Sequence, residues 1–165
     1  LQAQVERNSR IAGLLAQGEL DLALLIGQAG ANGGEAVAQV PALWLAREGQ
    51  VPDAAAPAPL LLLEEPCLFR EYALQALGRA GMAYRVVFTS PSVAGLWAAV
   101  HAGLGVTVRT PLGLPGGVAP LPAAALPALP PVRLSLHRRR EPSAPAVDAL
   151  FTIVADALQA AGATA

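Results

Sequence analysis

The chain has 165 residues, of which 54% are hydrophobic and 14% charged, and its formal net charge is −1. This composition predicts a folded chain of one domain or two small lobes and excludes extensive disorder. The near-neutral charge indicates no global attraction to nucleic acid, and a single cysteine excludes an intrachain disulfide. The printed sequence contains neither an apolar run long enough to cross a bilayer nor a signal-peptide pattern.

Three extended segments are predicted in the first part of the chain, at residues 2–6, 20–26 and 37–46. The first two flank a helix, which we expect Asn8 or Ser9 to cap and Gly18 to end. The second is almost continuously apolar, which is typical of a strand covered on both faces. Pro41 interrupts the third segment, because proline cannot donate to a central ladder.

The middle of the chain predicts alternating strands and helices. The strands are expected at residues 60–63, 84–88 and 106–109. The first helix begins at Cys67 and ends at Gly81, and the second begins at Ser90, as a capping hydroxyl, and ends at Gly103. Strands that alternate with helices in this way indicate an α/β fold.

The last third begins with residues 111–131, whose seven prolines and three glycines exclude a continuous helix or strand. We expect these residues to form an ordered crossing on the surface. Alternating apolar residues at 132–136 predict a strand with one buried face. A basic run at 137–140 is expected in a solvated turn, with contact to DNA or a partner as the alternative. A turn at 142–145 and an amphipathic terminal helix follow, and the sequence shows no internal repeat.

The order of these elements predicts two parallel sheets, because strand–helix–strand crossovers place successive strands side by side in the same direction. Ligands of open α/β sheets bind beyond the carboxyl ends of the strands. The sequence therefore predicts a binding crevice bounded by the starts of the helices.

Several short segments carry a resemblance to a known family. They are Gly18-Glu19-Leu20-Asp21-Leu22-Ala23-Leu24, Pro59-Leu60, Ser92-Val93-Ala94-Gly95-Leu96, Ala99-Val100-His101-Ala102-Gly103-Leu104-Gly105-Val106, Pro111, and the terminal helix at residues 146–158. In this order and spacing they resemble the effector-binding domain of LysR-type transcriptional regulators. The resemblance covers nearly the whole chain.

The resemblance implies a two-lobed, periplasmic-binding-protein-like (type II) α/β fold with two crossing hinge strands. Lobe one is expected at residues 1–44 and 110–165, and lobe two at residues 45–109. Lobe one is expected to lack its first strand and helix. The winged helix-turn-helix domain that the family carries upstream is absent from this sequence.

The resemblance also implies a function. The domain is expected to bind a small polar or carboxylate metabolite between its lobes. It is expected to belong to a bacterial regulator that is a homodimer or homotetramer in the cytoplasm. DNA contact is expected only through the N-terminal domain, without a membrane partner. No catalytic residue, metal or cofactor is expected.

The candidate ligand-binding residues cluster at helix starts and at one strand end: Asn8, Ser9, Pro66, Cys67, Phe69, Arg70, Thr89, Ser90, Ser92 and Thr107. Free N–H groups at helix starts bind anions or carbonyl groups. Several of these residues also have a simpler interpretation. In that interpretation the serines only cap their own helices, Cys67 is a small half-buried residue rather than a redox-active thiol, Phe69 belongs to the core, and Arg70 is a surface charge.

Two other functions stay open from the sequence. One is an extracytoplasmic solute-binding protein of the same fold, and the other is an enzyme on the two-lobed scaffold. The sequence contains no nucleophile elbow, phosphate-binding glycine loop or zinc-ligand spacing. Converging acid, base or nucleophile groups in the crevice would favour the enzyme.

Overall fold

The structure is a computed structural model that describes residues 1–27, 34–139 and 144–163, with side chains described as far as residue 160. The helices of the described residues are α1 (Asn8–Ala16), α2 (Leu68–Arg79), α3 (Val93–His101) and α4 (Pro145–Ala163). The strands are β1 (Leu22–Ile26), β2 (Glu35–Val40), β3 (Leu43–Arg47), β4 (Ala58–Leu63), β5 (Tyr84–Ser90), β6 (Thr107–Arg109), β7 (Val118–Pro120) and β8 (Val132–Arg138). The α/β class predicted from the sequence is confirmed. The chain divides into two compact units, Leu1–Val40 with Val132–Ala165, and Pro41–Pro131.

The first unit contains a three-stranded sheet in the order β1-β8-β2, in which β8 is antiparallel to both neighbours. Helix α1 packs Ile11 against Ala23 and Leu25 of β1, and α4 packs on β2. Leu24, on the other face of β1, is 39% exposed, so the prediction of a strand covered on both faces is wrong.

Two other strand predictions for this unit are also wrong. Strand β8 buries both faces, because Ser135 and His137 are covered as well as Leu134 and Leu136, so the prediction of one buried face is wrong. Residues 2–6 form no strand, since no described segment lies beside them to accept a ladder of hydrogen bonds. The predicted turn at 142–145 lies mostly outside the described residues.

The second unit has one parallel pair, β4 and β5, joined to an antiparallel sheet in the order β6-β3-β7. The junction is a bridge between Leu60 and Val106, made by Leu61 N–H to Val106 O and Val106 N–H to Pro59 O, each 2.8 Å. The strand order of this unit is therefore β5-β4-β6-β3-β7. Helices α2 and α3 pack on these strands around fully buried leucine and valine side chains.

The predicted all-parallel sheets are wrong for a topological reason. The chain enters the second unit at Pro41, and the next strand, β3, inserts antiparallel into the middle of the sheet of that unit. It leaves the second unit at Pro131, and the next strand, β8, inserts antiparallel into the middle of the sheet of the first unit. Because β3 and β7 pair inside the second sheet, the units divide at 40/41 and 131/132, whereas the sequence-based boundaries were 44/45 and 109/110.

The two units repeat one arrangement that the sequence does not reveal. In the first unit α1 leads into β1, and the order is β1-β8-β2; in the second α3 leads into β6, and the order is β6-β3-β7. Each leading helix ends at a glycine with positive φ, Gly18 or Gly103. The second unit adds β4 and β5 beyond β6, whereas no described strand lies beyond β1. No helix in the described part of the chain is both long and apolar enough to span a membrane.

Candidate functional site

Two helices of the second unit start at the same edge of the β4–β5 pair. Because β4 and β5 are parallel and Leu63 lies opposite Ser90, both strands end at that edge. Helix α2 starts at Leu68, shortly after β4, and α3 starts at Val93, shortly after β5. The positive ends of two helix dipoles therefore lie at one edge of this pair.

The start of α2 is uncapped. Cys67 occupies the N-cap position with an extended backbone, and its side chain makes no capping hydrogen bond. The first backbone bond of the helix runs from Glu71 N–H to Cys67 O at 3.1 Å. The N–H groups of Leu68, Phe69 and Arg70 consequently have no acceptor among the described residues. Such donors are suited to an anion or a carbonyl group.

The start of α3 is satisfied by its own serines. The Ser92 hydroxyl accepts a hydrogen bond from Gly95 N–H at 3.2 Å, so Ser92, and not the predicted Ser90, caps the helix. The buried Ser90 hydroxyl donates to Ser92 O at 2.9 Å and accepts from Ser92 N–H at 3.2 Å. Thr89 is exposed at the end of β5. These three side chains lie outside the cleft described next.

A narrow cleft joins the start of α2 to β6. Its polar and aromatic lining consists of Cys67, Phe69, Arg70, Thr107 and Arg109, and four aliphatic side chains complete it. The cleft has no space for a water molecule as it stands. Any ligand must therefore bind at its mouth or open it. Four of the sequence-predicted residues, Cys67, Phe69, Arg70 and Thr107, are brought together here, whereas Pro66 only precedes them.

Arg109 is the residue of this cleft that the sequence reasoning missed. Its guanidinium lies over the Phe69 ring, 4.7 Å from the centroid. Burial lowers the pKa of Arg109, and the neighbouring Cys67 sulfur acts in the opposite direction. In the described part of the chain no carboxylate pairs with Arg109. The sequence did contain a signal for Arg109: it follows Thr107 by two residues on the same strand, and this spacing places both side chains on the same face.

Arg70, by contrast, is already engaged. Its Nε lies 3.0 Å from Glu65 Oε1, and its terminal nitrogen donates to Leu63 O at 3.3 Å. The Nε–H direction misses the carboxylate, so the contact is an ion pair without a formed hydrogen bond. Arg70 thus fastens the segment between β4 and α2 and leaves Arg109 as the cation of the cleft without a carboxylate partner.

The two candidates in the first unit are not part of this cleft. Asn8 is the first residue of α1, with Arg7 at the N-cap position, so Asn8 does not cap the helix as predicted. Its side-chain amide donates to Ile26 O, and its oxygen accepts from Ile26 N–H at 3.3 Å. Asn8 therefore fastens the start of α1 to the end of β1. Ser9 is exposed in the first turn of α1.

The basic run is not the solvated turn that the sequence predicted. His137 is buried, and its Nε2 lies 3.0 Å from the Ser135 hydroxyl. Arg138 pairs with Asp148 at 2.9 Å, and Arg139 pairs with Asp21 at 3.1 Å. Strand β8 is longer than expected and carries His137 and Arg138 into the sheet. Arg139 directly follows the strand, and Arg140 lies outside the described residues.

The cleft therefore combines a desolvated guanidinium, free helix N–H donors and the Thr107 hydroxyl. This combination suits a carboxylate, because a guanidinium and backbone donors form charge-assisted hydrogen bonds with carboxylate oxygens. Within the residues that the structure describes, no group of three histidine, cysteine or acidic side chains is placed to hold a metal ion.

The architecture is the type II periplasmic-binding-protein-like α/β fold. A family model described as the LysR substrate binding domain matches residues 1–159, and the chain belongs to this family. It is 27% identical over 110 residues to the HTH-type transcriptional regulator PecT of Dickeya dadantii, covering 67% of this chain. It is 37% identical over 103 residues to the HTH-type transcriptional regulator DgdR of Burkholderia cepacia, covering 61% of this chain.

The chain spans 35% of the length of each of these relatives. Among solved structures, it resembles the regulatory domain of CcmR from Synechocystis PCC6803 in complex with 2-PG. The TM-score is 0.74 at 14% identity, covering 95% of this chain and 82% of that one. At this identity the likeness establishes the fold.

Proposed function

We propose that this chain is the effector-sensing part of a LysR-type transcriptional regulator and that it binds a small carboxylate metabolite without transforming it. One observation carries the chemistry: Arg109 is desolvated over Phe69 and has no carboxylate partner among the described residues. Arg109 is a half-buried cation that lacks a charge partner among the described residues, so an anionic ligand gains free energy by providing one. The free N–H groups at the start of α2 add donors for its second oxygen.

The comparisons favour this function over the two alternatives. PecT and DgdR are HTH-type transcriptional regulators, and the CcmR regulatory domain was solved with a small molecule. Cys67, the Arg109 guanidinium and Thr107 form no acid–base–nucleophile constellation that would support catalysis. We place the protein in the cytoplasm, with DNA contact through a helix-turn-helix domain outside this chain.

We further propose that the regulator is a homodimer or homotetramer, and β5 is our candidate contact surface. Strand β5 pairs only with β4 among the described strands, so its other edge is unpaired, and the strand carries three apolar side chains that are each more than a third exposed: Tyr84, Val86 and Val87. An exposed apolar edge strand is a ready template for pairing with another chain.

The first experiment is a thermal-shift screen of small mono- and dicarboxylates against the 165-residue chain. A ligand at one hundred times its Kd stabilises the folded state by about 2.7 kcal/mol. Arg109→Gln should abolish the shift given by any hit, because it removes the cation. Thr107→Val is a second variant of the cleft, which keeps the shape of the side chain and removes only the hydroxyl.

Arg133→Gln is the matched control, because Arg133 is exposed on β8 and its replacement makes the same change in charge. It should respond to each hit as the wild-type chain does. A hit that stabilises Arg109→Gln as strongly as the wild-type chain would contradict the assignment of this cleft.

A further inference from the structure

A second concave surface of the second unit is separate from the Arg109 cleft. It lies between α2 and the segment of residues 127–130, has a cavity volume of about 280 Å³, and shares no lining residue with the cleft. We call it the α2 groove. Its size, near the lower end of the range for ligand sites, suits a small molecule rather than a folded partner.

The two walls of the α2 groove differ in chemistry. Tyr72, Gln75 and Arg79 project from one stripe of the helix, where a spacing of three and four residues places side chains on one face. Pro127 and Pro130 form much of the other wall, and neither has a backbone N–H to donate. One wall thus carries polar groups and the other presents apolar proline rings.

The polar wall is unoccupied by other protein groups. The Tyr72 hydroxyl, the Gln75 amide and the Arg79 guanidinium have no hydrogen bond or ion pair in the described part of the chain. Among the described residues that line the groove, Arg79 is the only charged one, and none is acidic. The stripe from Tyr72 to Arg79 is about 10 Å long, given a rise of 1.5 Å per residue.

The proline wall is held in position. The Trp44 indole N–H donates to Pro127 O at 2.8 Å, and the neighbouring Leu126 side chain is buried. The wall therefore does not need to fold around a ligand, and this preorganisation lowers the cost of binding.

We propose that the α2 groove is a binding site for a small amphipathic monoanion, a flat apolar body that carries one carboxylate. The carboxylate pairs with Arg79 and accepts hydrogen bonds from Tyr72 or Gln75, while the apolar body packs on the rings of Pro127 and Pro130. The single cation and the lack of an acidic side chain among the described lining residues favour one negative charge, and the apolar C–H groups of the proline rings favour an apolar body that can stack on them.

Benzoate is the probe for this proposal, and benzamide is its neutral isostere. We expect benzoate titrated into the ¹⁵N-labelled 165-residue chain to give saturable shifts of the amide signals of Tyr72, Gln75, Arg79 and Ala128. Arg79→Gln should weaken binding about fivefold, the range of an exposed ion pair. Benzamide should bind the wild-type chain more weakly by a similar factor.

Two further variants separate this site from others. Ala80→Leu should abolish the shifts by filling the groove from an exposed position, whereas Arg133→Gln, a change of the same charge on β8, should leave the Kd unchanged. Arg109→Gln should also leave the Kd unchanged, so the proposal for the α2 groove and the proposal for the Arg109 cleft are tested independently. Non-saturable shifts, equal binding of benzamide, or an unchanged Kd in Arg79→Gln would each overturn the proposal.

Discussion

At the scale of single residues, the most unusual position outside the cleft is the buried pair Ser135 and His137. The two side chains lie on one face of the central strand β8, and Gly34 approaches the imidazole so closely that a Cβ there would meet the ring at 2.1 Å. Burial lowers the pKa of His137 below its ordinary value of 6.5. Burial therefore disfavours the protonated imidazole in the folded state.

This burial predicts a loss of stability in acid. As the pH falls through 6.5, the unfolded chain binds a proton before the folded chain does, so the free energy of unfolding decreases. The loss continues down to the pKa of His137 in the folded state and then levels off, at about 1.4 kcal/mol per unit of pKa difference. Urea unfolding of wild-type protein and His137→Gln between pH 7.5 and 5 measures it.

The variant should show a shallower pH dependence than the wild-type chain across that window. His101→Gln is the matched control, because His101 is exposed, and it should retain the loss that depends on His137. Equal slopes for wild-type protein and His137→Gln would contradict this account of the buried pair.

At the scale of elements, the union of the parallel pair with the rest of the second sheet depends on Gly105. A Cβ at this position would lie 2.3 Å from Pro59 O, a backbone atom that accepts the hydrogen bond from Val106 N–H. Because a backbone carbonyl in a ladder cannot move aside cheaply, only glycine fits here.

Gly105→Ala should therefore destabilise the chain by about 1–3 kcal/mol, the usual cost of overpacking. Gly78→Ala is the contrasting variant, because Gly78 lies inside α2 and a Cβ there would meet no other atom within 4 Å. It should stabilise the chain by about 0.5–1 kcal/mol through helix propensity. Chemical denaturation of both variants measures these changes in the free energy of unfolding. An unchanged free energy of unfolding in Gly105→Ala would show that β4 and Val106 do not pair as described.

The elements also show what the sequence can and cannot predict. Helix α2, helix α3 and strand β4 were predicted closely, because apolar spacing and a glycine stop are local signals. The central, antiparallel positions of β3 and β8 were not predicted, because pairing between segments that are distant in sequence leaves no local sequence signal. The candidate site divides in the same way: Cys67 and Thr107 follow from element ends, but the lack of a partner for Arg109 is a tertiary property.

At the scale of the whole molecule, the two units differ at one edge. Asp21 O and Gly27 N–H bond to β8, so the backbone groups of Leu22, Leu24 and Ile26 face the opposite edge of β1. The Asn8 amide satisfies Ile26, whereas Leu22 and Leu24 have no partner among the described residues. In the second unit the corresponding edge, that of β6, is covered by the segment of β4.

We propose that upstream sequence supplies a strand parallel to β1, as β4 is beside β6, and that residues 2–6 then pair outside it as β5 does. Amide hydrogen exchange of this chain and of a longer chain with the upstream segment tests the idea. The amides of Leu22, Leu24 and residues 2–6 should exchange more slowly in the longer chain, with the amides of β6 as the unchanged reference. Equal exchange in the two chains would exclude a strand at this edge.

The central claim, that Arg109 recognises a carboxylate, is tested most directly by a double-mutant cycle with a carboxylate hit and its primary amide. Calorimetry would give the Kd of both ligands for the wild-type chain and for Arg109→Gln. We predict that the carboxylate loses at least tenfold in affinity in the variant while the amide loses little, because a hydrogen bond to a charged group contributes about 1.5–3 kcal/mol. Equal losses for the two ligands, or no loss for either, would contradict the account.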